Sequence, residues 1–151
     1  MYAVRLANDA MLAPYEPDRG ADWLTVDGQR TWIAAEPHVR FAILDDDGKI
    51  AGTISLSNLS GGFLLSANVG YWVAQDRQGR GLATRAVGEI LRVAYEELGL
   101  HRVEAGTLVD NVASQRVLEK NGFTRIGIAR RHLLIAGEWR DHILFERLAD
   151  D

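Results

Sequence analysis

Val69-Gly-Tyr-Trp-Val-Ala-Gln-Asp-Arg-Gln-Gly-Arg-Gly-Leu-Ala-Thr84, followed by an apolar-periodic run to Leu98, is the stretch that decides the fold. Val69, Tyr71 and Val73 alternate as in a short strand. Gln78-Gly79-Arg80-Gly81-Leu82-Ala83 is a glycine-rich turn. Ala83, Ala86, Val87, Ile90, Leu91, Ala94 and Leu98 then recur at the i, i+3, i+4, i+7 spacing of an amphipathic helix. Glycines leave backbone N–H groups uncovered, and a helix begins with unpaired N–H groups and a positive dipole end. The two together form an anion site suited to a phosphate or pyrophosphate. A Walker loop is excluded, because no Gly-Lys-Ser/Thr follows. A dinucleotide loop requires a third glycine where Thr84 stands, and Glu104, about 20 residues on, lies inside its strand rather than at the strand's end. A plain surface turn with two glycines is the bland alternative.

Moving outward, 151 residues suffice for one domain with a proper core, taken as residues 1–151. Apolar content of 47% and charged content of 25% are those of a globular chain. A net charge of −4 argues against nucleic acid as the main ligand, since phosphate backbones favour a basic face. There is no cysteine, hence no disulfide, thiol nucleophile or thiolate metal site, and a reducing cytoplasm is the expected location. No apolar run reaches the length of a membrane span. His38, His101, His132 and His142 show no metal-ligand spacing, so no metal is expected. His132 or His142 could line an acceptor cleft, although a surface or sheet-face histidine is the plainer reading.

In chain order, Ala3 to about Leu12 reads as one helix, stopped by Pro14, Pro17 and Gly20. A second helix is expected from near Gly28 to Ala35, before Pro37, with Trp32 and Ile33 on its buried face. Val39–Leu44 and Ile50–Leu56 read as strands joined by the Asp47-Gly48 hairpin turn. Ser57 to Gly62 reads as a loop and Phe63 to Ala74 as one long strand. His101 to Val109 is another strand. Asn111 is a fitting N-cap for a helix carrying Val117 and Leu118 inward, ended by Asn121-Gly122. Phe123–Ile135 and Glu138–Leu148 form a closing hairpin around Ala136-Gly137. The order is that of an α+β protein with a mixed, mostly antiparallel sheet flanked by helices.

Two motifs carry a family resemblance. Gln78-x-x-Gly81-x-Ala83 is similar to the Q/R-x-x-G-x-G/A loop of the GNAT N-acetyltransferases. Asn111-x-x-Ser114-x-x-Val117-Leu118-Glu119-Lys120-x-Gly122-Phe123 resembles a block of their RimJ/RimL-like branch, which acetylates N-terminal residues of ribosomal proteins. Arg102-Val-Glu-Ala105 and Leu12-Ala-Pro-Tyr-Glu-Pro17 extend the likeness along essentially the whole chain. The resemblance implies the GNAT fold and acetyl-CoA as cosubstrate. It also implies an opening edge strand, which is expected here to be missing or very short because Met1 falls almost at the first helix. The exposed edge would then be a surface for homodimer formation.

By the same resemblance, the backbone of Tyr71, Trp72 and Val73 meets the pantetheine arm, with Val73 N–H near the thioester carbonyl. The amides of Gly79, Arg80, Gly81, Leu82, Ala83 and Thr84, after Gln78, hold the pyrophosphate, and Asn111 bonds the pantetheine region while capping its helix. Arg77 and Arg80 either add charge there or are solvated. Many relatives place a tyrosine acid where this chain has Leu118, and the RimL-like branch uses the serine found here as Ser114. A serine hydroxyl is not acidic by itself, so its part is a hydrogen bond to sulfur; otherwise it is a first-turn helix serine. Glu104 is the candidate base, directly or through a water, its carboxylate partly desolvated in a central strand, or else a structural ion-pair partner. Tyr15 and Glu16, in a proline-bracketed loop, are acceptor-binding candidates, Glu16 suiting a cationic amine. Trp23 and Trp32 border that region. The function implied is transfer of an acetyl group from acetyl-CoA to a protein N-terminal amine by direct attack in a ternary complex. A small amine acceptor (antibiotic, polyamine or amino acid) and a non-catalytic acyl-CoA-binding protein are the alternatives.

Overall fold

The computed structural model describes residues 1–35 and 39–151. Helix α1 (Tyr2–Ala7) and helix α2 (Asp9–Leu12) precede a 3-10 turn at Ala21–Leu24 and helix α3 (Val26–Ala34). Strands β1 (Val39–Leu44), β2 (Ile50–Ser60) and β3 (Ser66–Val73) form a meander, and helix α4 (Leu82–Arg92) leads to β4 (Arg102–Leu108). Helix α5 (Val112–Lys120), β5 (Thr124–Ile135) and β6 (Glu138–Leu148) complete the chain. The sheet order is β1-β2-β3-β4-β6-β5, and only the β3–β4 pair is parallel.

The α+β mixed sheet is thus as expected, and among the described residues β1 is an edge strand, paired with β2. The apolar stripe of α4 packs on one face of the sheet. Val87, Ile90 and Ala94 are buried there with Leu118 of α5 and with Leu56, Val103 and Phe145 of the sheet. Asn111 caps α5 by accepting from Ser114 N–H at 3.2 Å, and Ala136-Gly137, both at positive φ, turn the last hairpin.

Several boundaries differ from the expectation, each for a local reason. The helix over 3–12 breaks at Asn8, whose side chain donates to Val4 C=O and accepts from Gln75 N–H at 2.8 Å, a bond that pulls it towards β3. Helix α3 starts two residues early because Thr25 Oγ1 accepts from Gly28 N–H. Residues 57–60, expected in a loop, extend β2, whereas Phe63–Leu65 form a turn whose Leu65 C=O accepts from His101 and Arg102 N–H. The final turn of the long helix, Val93–Glu97, widens to i→i−5 bonds. Leu98 is consequently left exposed rather than buried. His38 and Pro37 lie outside the described residues.

Candidate active site

The 3-10 turn Gln75–Arg77 ends β3, and Gln78–Gly81 carry the chain into α4. Gly79 and Gly81 sit at φ +73° and +74°, with open space where a Cβ would stand. The first intrahelical bond runs from Arg85 N–H to Gly81 C=O, so the N–H groups of Leu82, Ala83 and Thr84 find no partner within the helix. Gln78 Nε2 donates to Val73 C=O at 3.1 Å and pins the loop to the strand. Arg77 is held by Asp45 and by Asp76, a brace between the β1–β2 turn and the loop. Backbone N–H of Lys49 first, then of Asp47, and the Arg77 guanidinium hold the Asp45 carboxyl below its usual range. Arg80, exposed, is the loop's other cation.

Strands β3 and β4 pair only from Ser66↔Arg102 to Asn68↔Glu104, and beyond that they part. Ala74 N–H bonds Ala51 C=O on β2, so strand alternation turns the Val73 and Tyr71 backbone groups to the other side, into the gap. The gap belongs to a cleft of about 750 Å³ lined by Val69–Val73 on one side and Ala105–Leu108 on the other. It continues past Gly79 and Gly81 to Thr84 and past Asn111 and Ser114 of the α5 start. Thr107 Oγ1 is buried in this wall without a hydrogen-bond partner. A chain carrying amide groups would satisfy Thr107 and the free strand edge, and a pyrophosphate would satisfy the α4 N–H groups. The donor set therefore fits acetyl-CoA.

Tyr71 brings more than its backbone. Its hydroxyl lies 2.8 Å from Ser114 Oγ and 3.2 Å from Ser114 C=O. Burial pushes its pKa up to about 12 against a smaller opposing effect of the Ser114 bond, so the phenol keeps its proton at working pH. A tyrosine proton therefore stands at the start of α5, supplied by β3 rather than by the helix position of Leu118, which is wholly buried.

The far end of the cleft is walled by the N-terminal helices. Tyr15, Glu16, Trp23 and Trp32 line it, the two indoles meeting edge to face at 5.4 Å. Glu16 is not a free carboxylate, because Arg5, 4% exposed, donates to it at 2.8 Å and to Asp9 at 3.1 Å. At Glu104 the structure shows the ion-pair alternative. Its side chain is 40% exposed, Arg102 Nε donates to it at 2.8 Å, and it stands at the root of the gap outside the cleft lining.

Arg5 and Thr107 line the cleft without having been singled out from the sequence, and His142, named there as a possible cleft residue, lines it too. Of the first two, only Arg5 left a signal, the i, i+4 pairing with Asp9. Among the described residues no group of three His, Cys, Asp or Glu stands close enough to hold a metal, and no helix is long and apolar enough to cross a membrane.

Comparison with known proteins agrees with this geometry. The family model of the acetyltransferase (GNAT) domain matches residues 1–124. The probable N-acetyltransferase YjcK of Bacillus subtilis is 38% identical over 141 residues, covering 88% of this chain and 78% of that protein. The [ribosomal protein uS5]-alanine N-acetyltransferase of Escherichia coli is 32% identical over 145 residues, covering 91% of this chain and 75% of that protein. The structure of Mycobacterium smegmatis RimJ in complex with CoA-disulfide superposes with a TM-score of 0.88 at 35% identity, over 99% of this chain and 76% of that one. The chain therefore belongs to the GNAT acetyltransferase family, with relatives of the RimJ/RimL-like kind.

Proposed function

We propose that this chain transfers the acetyl group of acetyl-CoA to a primary amine and that the acceptor is the N-terminal amino group of a protein. The observation that carries this reading is the Tyr71–Ser114 hydroxyl pair beside the β3–β4 gap, adjoining the Gly79–Thr84 loop. The loop N–H groups, with Arg80, hold the pyrophosphate, and Asn111 and the Tyr71–Val73 strand edge hold the pantetheine arm. Val73 N–H, turned into the gap, polarises the thioester carbonyl as negative charge develops on its oxygen. When Tyr71 donates to Ser114 Oγ, the serine proton is free to be given to the leaving sulfur, and the phenol replenishes it. The chain has no cysteine to carry an acetyl group, which favours direct attack in a ternary complex.

The acceptor assignment rests on the relative that acts on ribosomal protein uS5 and on the cleft's far wall. Arg5 neutralises Glu16 there, and Arg19 lies over the Trp23 ring at 4.5 Å, so the wall carries positive charge beside the indoles. Such a wall suits an extended peptide start better than a polycation. The test is acetyl-CoA turnover with a peptide beginning with alanine and with spermidine. Faster turnover of the peptide is expected, and preference for spermidine would reassign the acceptor to a small amine.

A further inference from the structure

His142 stands opposite Leu108 in the β4–β6 ladder and is 4% exposed. A Cβ added to Gly106 would lie 3.8 Å from His142 Cδ2, so the ring lies over that glycine at the free edge of β4, where it lines the cleft. Val103 and Ala105 point to the opposite face, into the core shared with α4 and α5. His142 and Ser114 therefore approach the same gap from its two sides.

Its Nδ1 lies 3.1 Å from Arg140 C=O. A carbonyl only accepts, so Nδ1 carries the hydrogen and the lone pair of the neutral ring is on Nε2. Among the described residues no group bonds Nε2. From β5, the His132 ring packs edge to face at 5.4 Å. On its own strand Arg140 and Asp141 are the neighbouring charges. Arg140 is paired with Asp110 beyond β4, and Asp141 accepts from Arg131 N–H on β5. Burial chiefly, with His132 and Arg140 added, holds its pKa below 6.5, outweighing Arg140 C=O and Asp141.

We propose that His142 Nε2 is the proton acceptor for the attacking amine, a further catalytic residue facing the Tyr71–Ser114 pair across the strand gap. The assignment rests on the acetyltransferase reading above. An ammonium acceptor loses two protons as its nitrogen forms the bond to the acetyl carbon and the carbon–sulfur bond breaks. His142 takes each in turn, one before attack and one from the tetrahedral nitrogen, and returns it to solvent. The sulfur keeps the bonding pair and receives one proton from Ser114, replaced through Tyr71 from solvent. The net release is one proton per turnover.

The test compares wild type with His142→Gln and His142→Gly, using acetyl-CoA and a peptide beginning with alanine. kcat should fall about 100-fold in both variants, with the acetyl-CoA thermal shift retained. The wild-type loss of kcat as pH falls through a value below 6.5 should vanish, and added imidazole should restore turnover to His142→Gly. An unmoved pH profile with kcat within about threefold overturns the assignment. Nitrogen NMR of the histidine rings, with His142→Gln as the assignment control, needs no acceptor. An Nδ1–H tautomer titrating below 6.5 supports the proposal, and an Nε2–H tautomer overturns it. A missing acetyl-CoA thermal shift instead overturns the underlying acetyltransferase reading, so the two failures are distinguishable.

Discussion

Gly81→Ala separates backbone strain from ligand binding. Gly81 sits at φ +74° with open space at the Cβ position, so the substitution costs conformation and not a clash. A left-handed alanine costs about 1–2 kcal/mol. With about 2.1 cal/mol/K of unfolding entropy per residue, a chain of 151 residues changes stability by about 0.3 kcal/mol per degree, and the ligand-free Tm should fall by about 3–6 °C. Gly48, in the Asp47-Gly48 turn, has the same φ of +74° and the same open space, so Gly48→Ala should lose about as much. Acetyl-CoA at about 100 times its Kd adds about 2.7 kcal/mol to the folded state, an increment of about 8 °C. Gly48→Ala should keep that increment. Gly81→Ala should halve it or worse, because tenfold weaker binding removes about 1.4 kcal/mol, whether the methyl occupies the cradle or the strained peptide rotates its N–H away. Differential scanning of both variants with and without acetyl-CoA reads all four quantities. Equal losses with the full increment in both would refute the assignment of this loop to the pyrophosphate.

Other outcomes are fixed by the same geometry. Tyr71→Phe and Ser114→Ala should each lower kcat with acetyl-CoA affinity changed less than about threefold. The double variant should lose little more than the worse single one, since the two hydroxyls act through one bond; additive losses in steady-state kinetics would separate their roles. Arg5→Met strands Glu16 and Asp9, both partly solvated, so the loss should be about 2 kcal/mol, below the 3–5 kcal/mol typical of a fully buried pair, measured by urea unfolding. The Asp45 carboxyl titrates below its ordinary 3.8 in the folded chain, so its stabilisation is present above that value and is lost as pH falls through the folded-state pKa. The Tm difference between wild type and Asp45→Asn should accordingly be full at pH 7 and shrink in acid; a difference constant with pH would refute the hold of the Lys49 and Asp47 N–H groups and Arg77 on the Asp45 carboxylate.

What could be read from the sequence was what short range decides. Gly79 and Gly81 announced the loop because positive φ favours glycine. Asn111 announced α5 because a cap acts on the N–H three residues on, and Ala136-Gly137 marked its turn. What stayed hidden depends on register between distant segments. Tyr71 and Ser114 are 43 residues apart, and their bond exists only because β3 and α5 meet across the gap. Asn8 looks like any helix residue until Gln75, 67 positions away, claims its side chain. Glu104 sits in a central strand as expected, yet whether its carboxylate is desolvated turns on Arg102 two residues back on the same face. His142 is on the cleft side only because the β4–β6 ladder sets it against Leu108.

The central claim is acetyl transfer from acetyl-CoA to an amine, and CoA release in the presence of a peptide beginning with alanine measures it directly. Release that depends on both the protein and the peptide, with an N-terminally acetylated product by mass spectrometry, is the predicted result. Tight acetyl-CoA binding with no CoA release for the peptide or for a panel of small amines would contradict it and leave an acyl-CoA-binding protein without turnover.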